Sequence, residues 1–247
     1  GKTFTAKNII SGAGIMTTYN KLIPSDIAEK HQLKQQLQTV KRSVSHACLY
    51  IGLKGSPEEL KLPKTNYWIY PDNIDHDTAI DNYVHNLNAD FPVVYISFPS
   101  AKDPDWTNRY PGKSTIDIIT LLPYDGFKNW DGTKWMKRGE EYEALKEKIS
   151  KRLLEVLFKH IPQAKDKIEH YELSTPLTTK HFINYDEGEI YGLDPEIAWY
   201  YGLSFSQVFP LLGKKADIGF DFYLCRDSTS RLWITDCWND VLCTPSI

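Results

Sequence analysis

The clearest pattern of apolar and polar positions lies between residues 91 and 123. Two apolar runs, Val93 to Phe98 and Thr115 to Leu122, flank a loop rich in proline, aspartate and glycine. Short apolar runs bounded by turn-forming residues indicate strands, and Pro104 and Pro111-Gly112 supply the turn dihedral angles between them. The pattern therefore predicts a long β-hairpin.

The same pattern analysis predicts the element order β-α-β-β-β-β-α-β along the chain. Further strands are expected at residues 2–11, 44–53, 66–71 and 168–174, and helices at 25–43 and 138–160. Several connections between the middle strands are short, which favours antiparallel pairing in part of the sheet. The predicted fold class is thus α+β with an α/β component, a mixed β-sheet covered by helices.

The helix at 138–160 has the strongest periodicity in the chain. Leu145, Ile149 and Leu153 fall on one face, while Glu147 and Lys151 form an i, i+4 pair on the solvent side. Pro162 cannot continue the helix. The carboxylates of this segment therefore belong to a solvated helix face rather than to a catalytic site.

Composition excludes several function classes. The chain has 247 residues, of which 41% are apolar and 25% charged, and its net charge is −3. No basic field favours nucleic acid, and no apolar run is long enough for a transmembrane helix. The 13% aromatic content suits either an apolar ligand pocket or a thick sheet core. The chain begins within a predicted strand and without an initiator methionine, so we expect a fragment of a longer protein.

Residues that could carry acid–base, nucleophilic or metal chemistry do not occur in the usual arrangements. No CxxC or Cys/His ligand spacing connects the four cysteines, Cys48, Cys225, Cys237 and Cys243, and a reduced, intracellular chain is expected. Asp72, Asp75 and Asp77 lack the EF-hand pattern and predict a solvated loop with a helix cap. The sequence therefore predicts no metal site and identifies no catalytic residue.

A dinucleotide-binding interpretation arises where the first predicted strand ends in Gly12-Ala13-Gly14. The full fingerprint needs a third glycine, and an acidic residue that follows a second strand. Thr17 occupies the position of the third glycine, and a helix rather than a second strand is predicted next. The match is therefore partial.

Three stretches resemble one known family, the flavin-dependent retinol saturases within the wider carotenoid isomerase and phytoene desaturase family. The hairpin loop, with Pro99 to Pro104, Trp106, Arg109 and Pro111 to Thr115, is similar to the family's FPSAKDP-W--R-PG-ST segment. Ile9 to Gly14 resembles its strand returning to the flavin domain. Thr175 to Thr178 with Glu187 to Leu193 resembles its TPLT…G-x-x-Y-G segment. The resemblance covers about residues 1–194 and corresponds to the family's C-terminal half.

The resemblance implies FAD-mediated redox chemistry at a carbon–carbon double bond of a polyene, with retinol saturation favoured and NAD(P) as a candidate electron donor. Gly12, Ala13 and Gly14 are the implied cofactor-binding residues. Two alternatives stay open: a carotenoid isomerase or desaturase, and a non-catalytic apolar-ligand module that lost its cofactor site. A structural or interaction fragment is a third, weaker hypothesis.

The resemblance also implies a domain organisation. Residues 1–24 would be part of a Rossmann-like FAD domain, 25–174 the substrate-binding sheet domain, and 175–194 the return to the FAD domain. The family's glycine-rich pyrophosphate loop would lie upstream of residue 1, so the chain alone would bind FAD weakly and be inactive.

The end of the chain departs from the family pattern. Tyr223 to Asp227 differs from the family's YLTGQD strand, so residues 195–247 are expected to be an aberrant, poorly packed tail.

The resemblance also implies a cellular location for the protein. Family members act on membrane-dissolved substrates, which implies peripheral contact with an internal membrane such as the endoplasmic reticulum, or otherwise a cytoplasmic location.

Overall fold

The computed structural model describes residues 2–6, 8–38, 41–72 and 74–193, together with the backbone of two short strands at 223–226 and 232–235. The chain divides into two compact units. The first unit comprises residues 1–43 and 191–247, and the second comprises Val44–Ile190. Each unit has a hydrophobic core of its own.

Short helices begin the described chain, and strands and helices follow in mixed order. The helices are α1 Ile15–Thr17, α2 Ser25–Lys30, α3 Leu33–Leu37, α4 His76–His85, α5 Pro99–Lys102, α6 Trp106–Arg109, α7 Glu140–His160 and α8 Pro176–Ile183. The strands are β1 His46–Lys54, β2 Tyr67–Ile69, β3 Val94–Ser97, β4 Lys113–Leu121, β5 Ile168–Ser174, β6 Tyr223–Arg226 and β7 Leu232–Thr235. A π-helical turn at Thr18–Leu22 continues α1, and 3-10 turns cover Tyr124–Trp130 and Pro162–Lys167.

A five-stranded sheet in the order β2-β3-β4-β1-β5 forms the centre of the second unit. The predicted hairpin is confirmed, because β3 and β4 pair antiparallel with Ile96 opposite Ile118. Its loop contains the short helices α5 and α6. All four strand pairs of this sheet are antiparallel, so the α+β expectation is confirmed and the sheet is more uniform than expected.

One face of the sheet packs into the main core. Side chains alternate between the two faces of a strand, and the core face of β1 carries Ala47, Leu49, Ile51 and Leu53, all buried. The apolar stripe of α7 joins the same cluster, as the helical periodicity predicts. The strands at 44–53, 66–71 and 168–174 and the helix cap at Asp75 are likewise confirmed.

Two predictions for the first unit are wrong. Residues 2–6 and 8–11 form no strand, because a strand needs a hydrogen-bonded neighbour and no described residue pairs with them. The helix expected at 25–43 is instead two short helices, α2 and α3, separated at Gln32, which adopts a φ of 54°. A left-handed residue cannot continue an α-helix.

The end of the chain is described only in part. The expectation of a poorly packed tail at 195–247 falls on residues outside the described ranges, apart from the backbone of β6 and β7. These two strands pair antiparallel, with Tyr223 opposite Thr235. None of the helices in the described ranges is long and apolar enough to cross a membrane.

Candidate functional site

The sheet face opposite the main core carries a row of apolar and aromatic side chains. Register places Trp68 opposite Tyr95, Tyr95 opposite Ile119, and Ile119 opposite Cys48, so the row crosses four strands. The Trp68 and Tyr95 rings lie 4.8 Å apart between centroids. Trp68 is exposed, and Tyr95 and Ile119 are half-buried. The row therefore offers a flat apolar surface that solvent can still reach.

A polar row runs beside the apolar one on the same face. Ser97 lies opposite Asp117, and Asp117 lies opposite Tyr50, across β3, β4 and β1. Lys102 Nζ donates a hydrogen bond to Ser97 Oγ at 3.0 Å and another to the side-chain oxygen of Asn66. Directly opposed residues bring their Cβ atoms within about 5.5 Å. We call the two rows together the open face.

Burial favours the neutral forms of the groups on the open face. It raises the pKa of the Asp117 carboxyl, although Lys102 opposes the shift. Burial also raises the pKa of the Cys48 thiol to about 12 and that of the Tyr50 hydroxyl to about 12. Because the thiolate is the reactive form of cysteine, Cys48 is not an activated nucleophile. The open face is suited to hydrogen bonding and apolar contact.

The raised pKa of Asp117 predicts a pH dependence of stability. The pKa of the Asp117 carboxyl is higher in the folded protein than in the unfolded chain. The protonated carboxyl therefore contributes stability at pH values below the unfolded-state pKa, and this contribution is lost as the pH rises through the folded-state pKa. We therefore expect Asp117→Asn to raise the free energy of unfolding at pH 7 relative to wild type, with a smaller gain at pH 4. Urea denaturation at both pH values measures this difference.

The control for this prediction is Asp90→Asn, since Asp90 is exposed. We expect this variant to change stability little, by less than about 0.5 kcal/mol at either pH. An Asp117→Asn variant less stable than wild type at pH 7 would show that the ionised carboxylate is a net stabilising group.

The structure places Gly12, Ala13 and Gly14 in the first unit, directly before α1. Gly14 has a φ of 81°, which favours glycine, and a Cβ at Gly12 would have no heavy atom within 4 Å. Thr18 Oγ1 donates a hydrogen bond to the Gly14 carbonyl at 2.8 Å, which ties this turn to the following helix. The open space fits the close approach of a cofactor. Residues 2–6 and 8–11 do not form the strand that precedes the glycine turn of a dinucleotide-binding unit, so the described residues contain only the turn of that motif.

Sequence reasoning missed the open face. The feature of the sequence that could have indicated this face is Asp117, a charged residue inside the apolar run that forms β4. Its neighbours Tyr50 and Ser97 could not be assigned to it without the strand register. Among the described residues, no group of three His, Cys, Asp or Glu side chains could hold a metal ion.

Comparison with known proteins identifies relatives over three quarters of the chain, although no protein-family model matches it. All-trans-retinol 13,14-reductase of Danio rerio is 36% identical over 190 residues, which are 75% of this chain and 31% of the relative. The Homo sapiens reductase is 34% identical over 193 residues, 76% of this chain and 32% of the relative. An Arabidopsis thaliana chloroplastic prolycopene isomerase is 28% identical over 189 residues, 76% of this chain and 28% of the relative.

The chain spans about a third of the length of these curated reductases. A further relative in Danio rerio is named an inactive all-trans-retinol 13,14-reductase and is 31% identical over 176 residues, 70% of this chain and 29% of that relative. The family resemblance carried by the hairpin loop is therefore confirmed. Over three quarters of its length, the chain belongs to the family of the all-trans-retinol 13,14-reductases, with the prolycopene isomerases as more distant relatives.

Proposed function

We propose that this chain is the substrate-binding part of an FAD-dependent oxidoreductase that saturates a carbon–carbon double bond of a polyene, with all-trans-retinol as the favoured substrate. Relatives named all-trans-retinol 13,14-reductase at 34–36% identity support the reaction class. The observation that carries the proposal is the open face, where a flat apolar row lies beside a row of hydrogen-bonding groups.

The dimensions of the open face suit such a ligand. Four strands at about 4.8 Å spacing give an apolar row about 14 Å long. A conjugated polyene is planar and apolar, so it can lie over Trp68, Tyr95 and Ile119 and be stabilised by removal of apolar surface from water. A terminal hydroxyl group would then meet the polar row at Asp117 and Tyr50.

The cofactor part of the proposal rests on the family relationship. FAD, when bound, would supply the hydride for reduction, with NAD(P) as the electron donor. Gly12, Ala13 and Gly14 are the residues proposed to approach it, in an FAD-domain part at 1–24 that continues at 175–194. Residues 25–174 are proposed to bind, orient and shield the polyene from water.

Two alternative functions remain, and the ligand-binding experiment described below distinguishes them from the proposed one. The prolycopene isomerase relatives favour a carotenoid isomerase or desaturase, whose hydrocarbon ligand would not use the polar row. The relative named inactive favours a non-catalytic module that binds an apolar ligand without performing the reaction.

Retinol binding to the purified chain tests the proposal without requiring turnover. Ile119→Arg would place a charge in the middle of the apolar row, and we expect affinity for all-trans-retinol to fall about 10- to 100-fold, an effect of 1.4–2.7 kcal/mol. Retinol fluorescence titration measures the affinity. Ile80→Arg, the same change at an exposed isoleucine on α4, is the matched control and should bind as wild type.

Three results separate the hypotheses. Equal affinity of Ile119→Arg and wild type for retinol would show that the open face is not the ligand site. Stronger binding of β-carotene than of retinol would favour the carotenoid alternative. A flavin absorbance spectrum that survives incubation with FAD and desalting would support the cofactor site, and a retinol reduction assay would follow.

The proposed substrate also suggests a location. Retinoids and carotenoids dissolve in membranes, so we propose that the protein works at the surface of an internal membrane such as the endoplasmic reticulum.

A further inference from the structure

Lys102 on α5 reaches the polar row of the open face and is held there by two side chains. Its Nζ donates to Ser97 Oγ of β3 at 3.0 Å and to the side-chain oxygen of Asn66, which precedes β2. An ammonium group has three N–H donors, so these described contacts leave one for a ligand. Its charge also lies close enough to Asp117 to act against the rise in the pKa of that carboxyl. Lys102 is therefore a hydrogen-bond donor positioned beside Asp117.

The helix that carries Lys102 is fixed to the strand that carries Asp117. The Thr115 amide of β4 donates to Ser100 Oγ at 2.9 Å, and Ser100 Oγ donates back to the Thr115 carbonyl at 3.2 Å. Ser100 belongs to α5 and is buried, and Thr115 precedes Asp117 by two residues on the same strand. The donor and the carboxyl thus belong to one preorganised piece of the fold, which lowers the cost of ordering them around a ligand.

Asp117 lies where the polar row meets the apolar row. Ser97 is opposite it on β3 and Tyr50 is opposite it on β1. Ile119 follows two residues later on β4, so its side chain points to the same face about 7 Å away. Asp117 is half-buried. A polyene that lies over Ile119 can therefore place its end group beside the Asp117 carboxyl.

The other charged and titratable groups around Lys102 and Asp117 are paired, neutral or exposed. Three ion-paired sets surround them: Asp103 and Asp105 with Arg109, Lys113 with Glu169, and Glu172 with Lys146. Further groups are exposed to solvent, which screens them: Lys54, Lys64 and His170. Burial lowers the pKa of His46, on the far side of the apolar row, and favours its neutral form. An end group at Asp117 therefore meets a cation and a carboxyl together, and not a field of one sign.

We propose that Lys102 and Asp117 form an end-group site that selects a polyene alcohol over the corresponding carboxylic acid or hydrocarbon. A hydroxyl group can accept a hydrogen bond from Lys102 Nζ and donate one to Asp117 at the same time. A carboxylate end group only accepts, and it would bring a second negative charge beside Asp117. A methyl end group would leave both polar groups without a ligand partner. The inference rests on the proposed function and names the residues that choose among its ligands.

Titration with three ligands that share one polyene chain tests the end-group site. The ligands are all-trans-retinol, all-trans-retinoic acid and the hydrocarbon analogue that ends in a methyl group. Quenching of tryptophan fluorescence reports the binding of each, since Trp68 lies in the apolar row. At pH 8, which favours the ionised form of Asp117, we expect wild type to bind retinol at least about 10-fold more tightly than either analogue.

Asp117→Asn should reverse the discrimination against the acid. It removes the like charge and leaves Lys102 to pair with the ligand carboxylate, so affinity for retinoic acid should rise at least about 10-fold. The amide oxygen of asparagine still accepts a hydrogen bond, so affinity for retinol should change less than about 3-fold. A folding defect cannot produce a gain in affinity. Unchanged binding of retinoic acid by this variant would contradict the proposal.

Glu172→Gln is the matched control for the charge change. Glu172 lies opposite Tyr50 on β5, and its carboxylate accepts a hydrogen bond from Lys146 at 2.6 Å. We expect its replacement to change affinity for retinoic acid less than about 3-fold, because solvent screens this exposed pair. A gain as large as that of Asp117→Asn would show a general effect of net charge and would overturn the site.

Lys102→Met should lower affinity for retinol about 10-fold, because the charged donor to the hydroxyl is lost. Affinity for the hydrocarbon should stay unchanged, since that ligand contacts the apolar row alone. Hydrocarbon binding thus shows that the variant keeps the open face although its bonds to Ser97 and Asn66 are gone. An equal loss of affinity for both ligands would assign Lys102 to the support of the fold and contradict the proposal.

The same titrations separate the end-group site from the proposed function. Equal affinity of wild type for retinol and the hydrocarbon, with weaker binding of both by Ile119→Arg, would overturn the end-group site and still support the open face as the polyene site. Unchanged binding of both ligands by Ile119→Arg would overturn the open face as the ligand site, and the end-group site with it.

Discussion

Replacing Gly188 by alanine is expected to destabilise the second unit by about 3 kcal/mol. Gly188 has a φ of 64°, and a Cβ there would lie 2.2 Å from the Pro176 carbonyl oxygen and 2.7 Å from the Pro176 Cα. The left-handed conformation costs an L-residue about 1–2 kcal/mol, and forced overpacking costs about 1–3 kcal/mol more.

The atoms that the new methyl group would meet cannot move aside easily. Pro176 is the first residue of α8, and the preceding Thr175 closes a capping box with Thr178. The fully buried Thr175 hydroxyl also hydrogen-bonds to Tyr142 of α7 at 2.7 Å. A shift of Pro176 would therefore disturb the attachment of α8 to the core.

Gly112→Ala is the matched control for this prediction. Gly112 has a similar φ of 68°, but a Cβ there would have no heavy atom within 4 Å. We expect it to cost only the conformational term, about 1 kcal/mol. Urea denaturation measures both variants, and equal losses would show that the contact with Pro176 is relieved by local movement.

Arg152→Met is expected to cost about 3 kcal/mol, since Arg152 holds the segment that leads into β3. Its guanidinium donates to the Leu87 carbonyl at 2.5 Å and to the Ala89 carbonyl, and it lies 4.4 Å from the centroid of the Phe91 ring. Hydrogen bonds from charged donors contribute about 1.5–3 kcal/mol each, and the cation–π contact about 0.5–1 kcal/mol. Methionine keeps the apolar stem and so limits the loss to these polar contacts.

Lys148→Met is the control, on the same helix and next to the same segment. Lys148 Nζ donates to the Asn88 side-chain oxygen at 2.6 Å at an exposed position. We expect a loss below about 1 kcal/mol, because solvent replaces an exposed hydrogen bond. Thermal unfolding of the two variants distinguishes the roles, and a loss for Arg152→Met no larger than for Lys148→Met would be contrary to this account.

The elements predicted correctly are those specified by local pattern. The hairpin of β3 and β4 follows from two apolar runs around turn-forming residues, and α7 follows from a 3.6-residue periodicity that ends before Pro162. The wrong predictions concern segments whose structure depends on distant partners. The pattern at residues 2–11 predicts a strand, but residues 2–6 and 8–11 have no strand neighbour in the described part of the chain. Gln32 interrupts a helix whose apolar positions continue across it.

The family relationship could also be predicted from the sequence, because the hairpin loop, the Gly12-Ala13-Gly14 turn and the TPLT segment are short contiguous motifs. Their structural roles were less evident. The segment Thr175 to Thr178 became a capping box that begins α8, a structure that depends on hydrogen bonds between a side chain and the backbone three residues away.

The sequence by itself determined the α+β class, the hairpin, the long helix and the family relationship, because each depends on residues close together in the chain. Only the tertiary structure decided which side chains share a surface. Tyr50 and Asp117 face each other through a strand register, and Trp135 meets His181 through the packing of separate elements. Such pairs are set by long-range hydrogen bonds and core packing, and local periodicity carries no information about them.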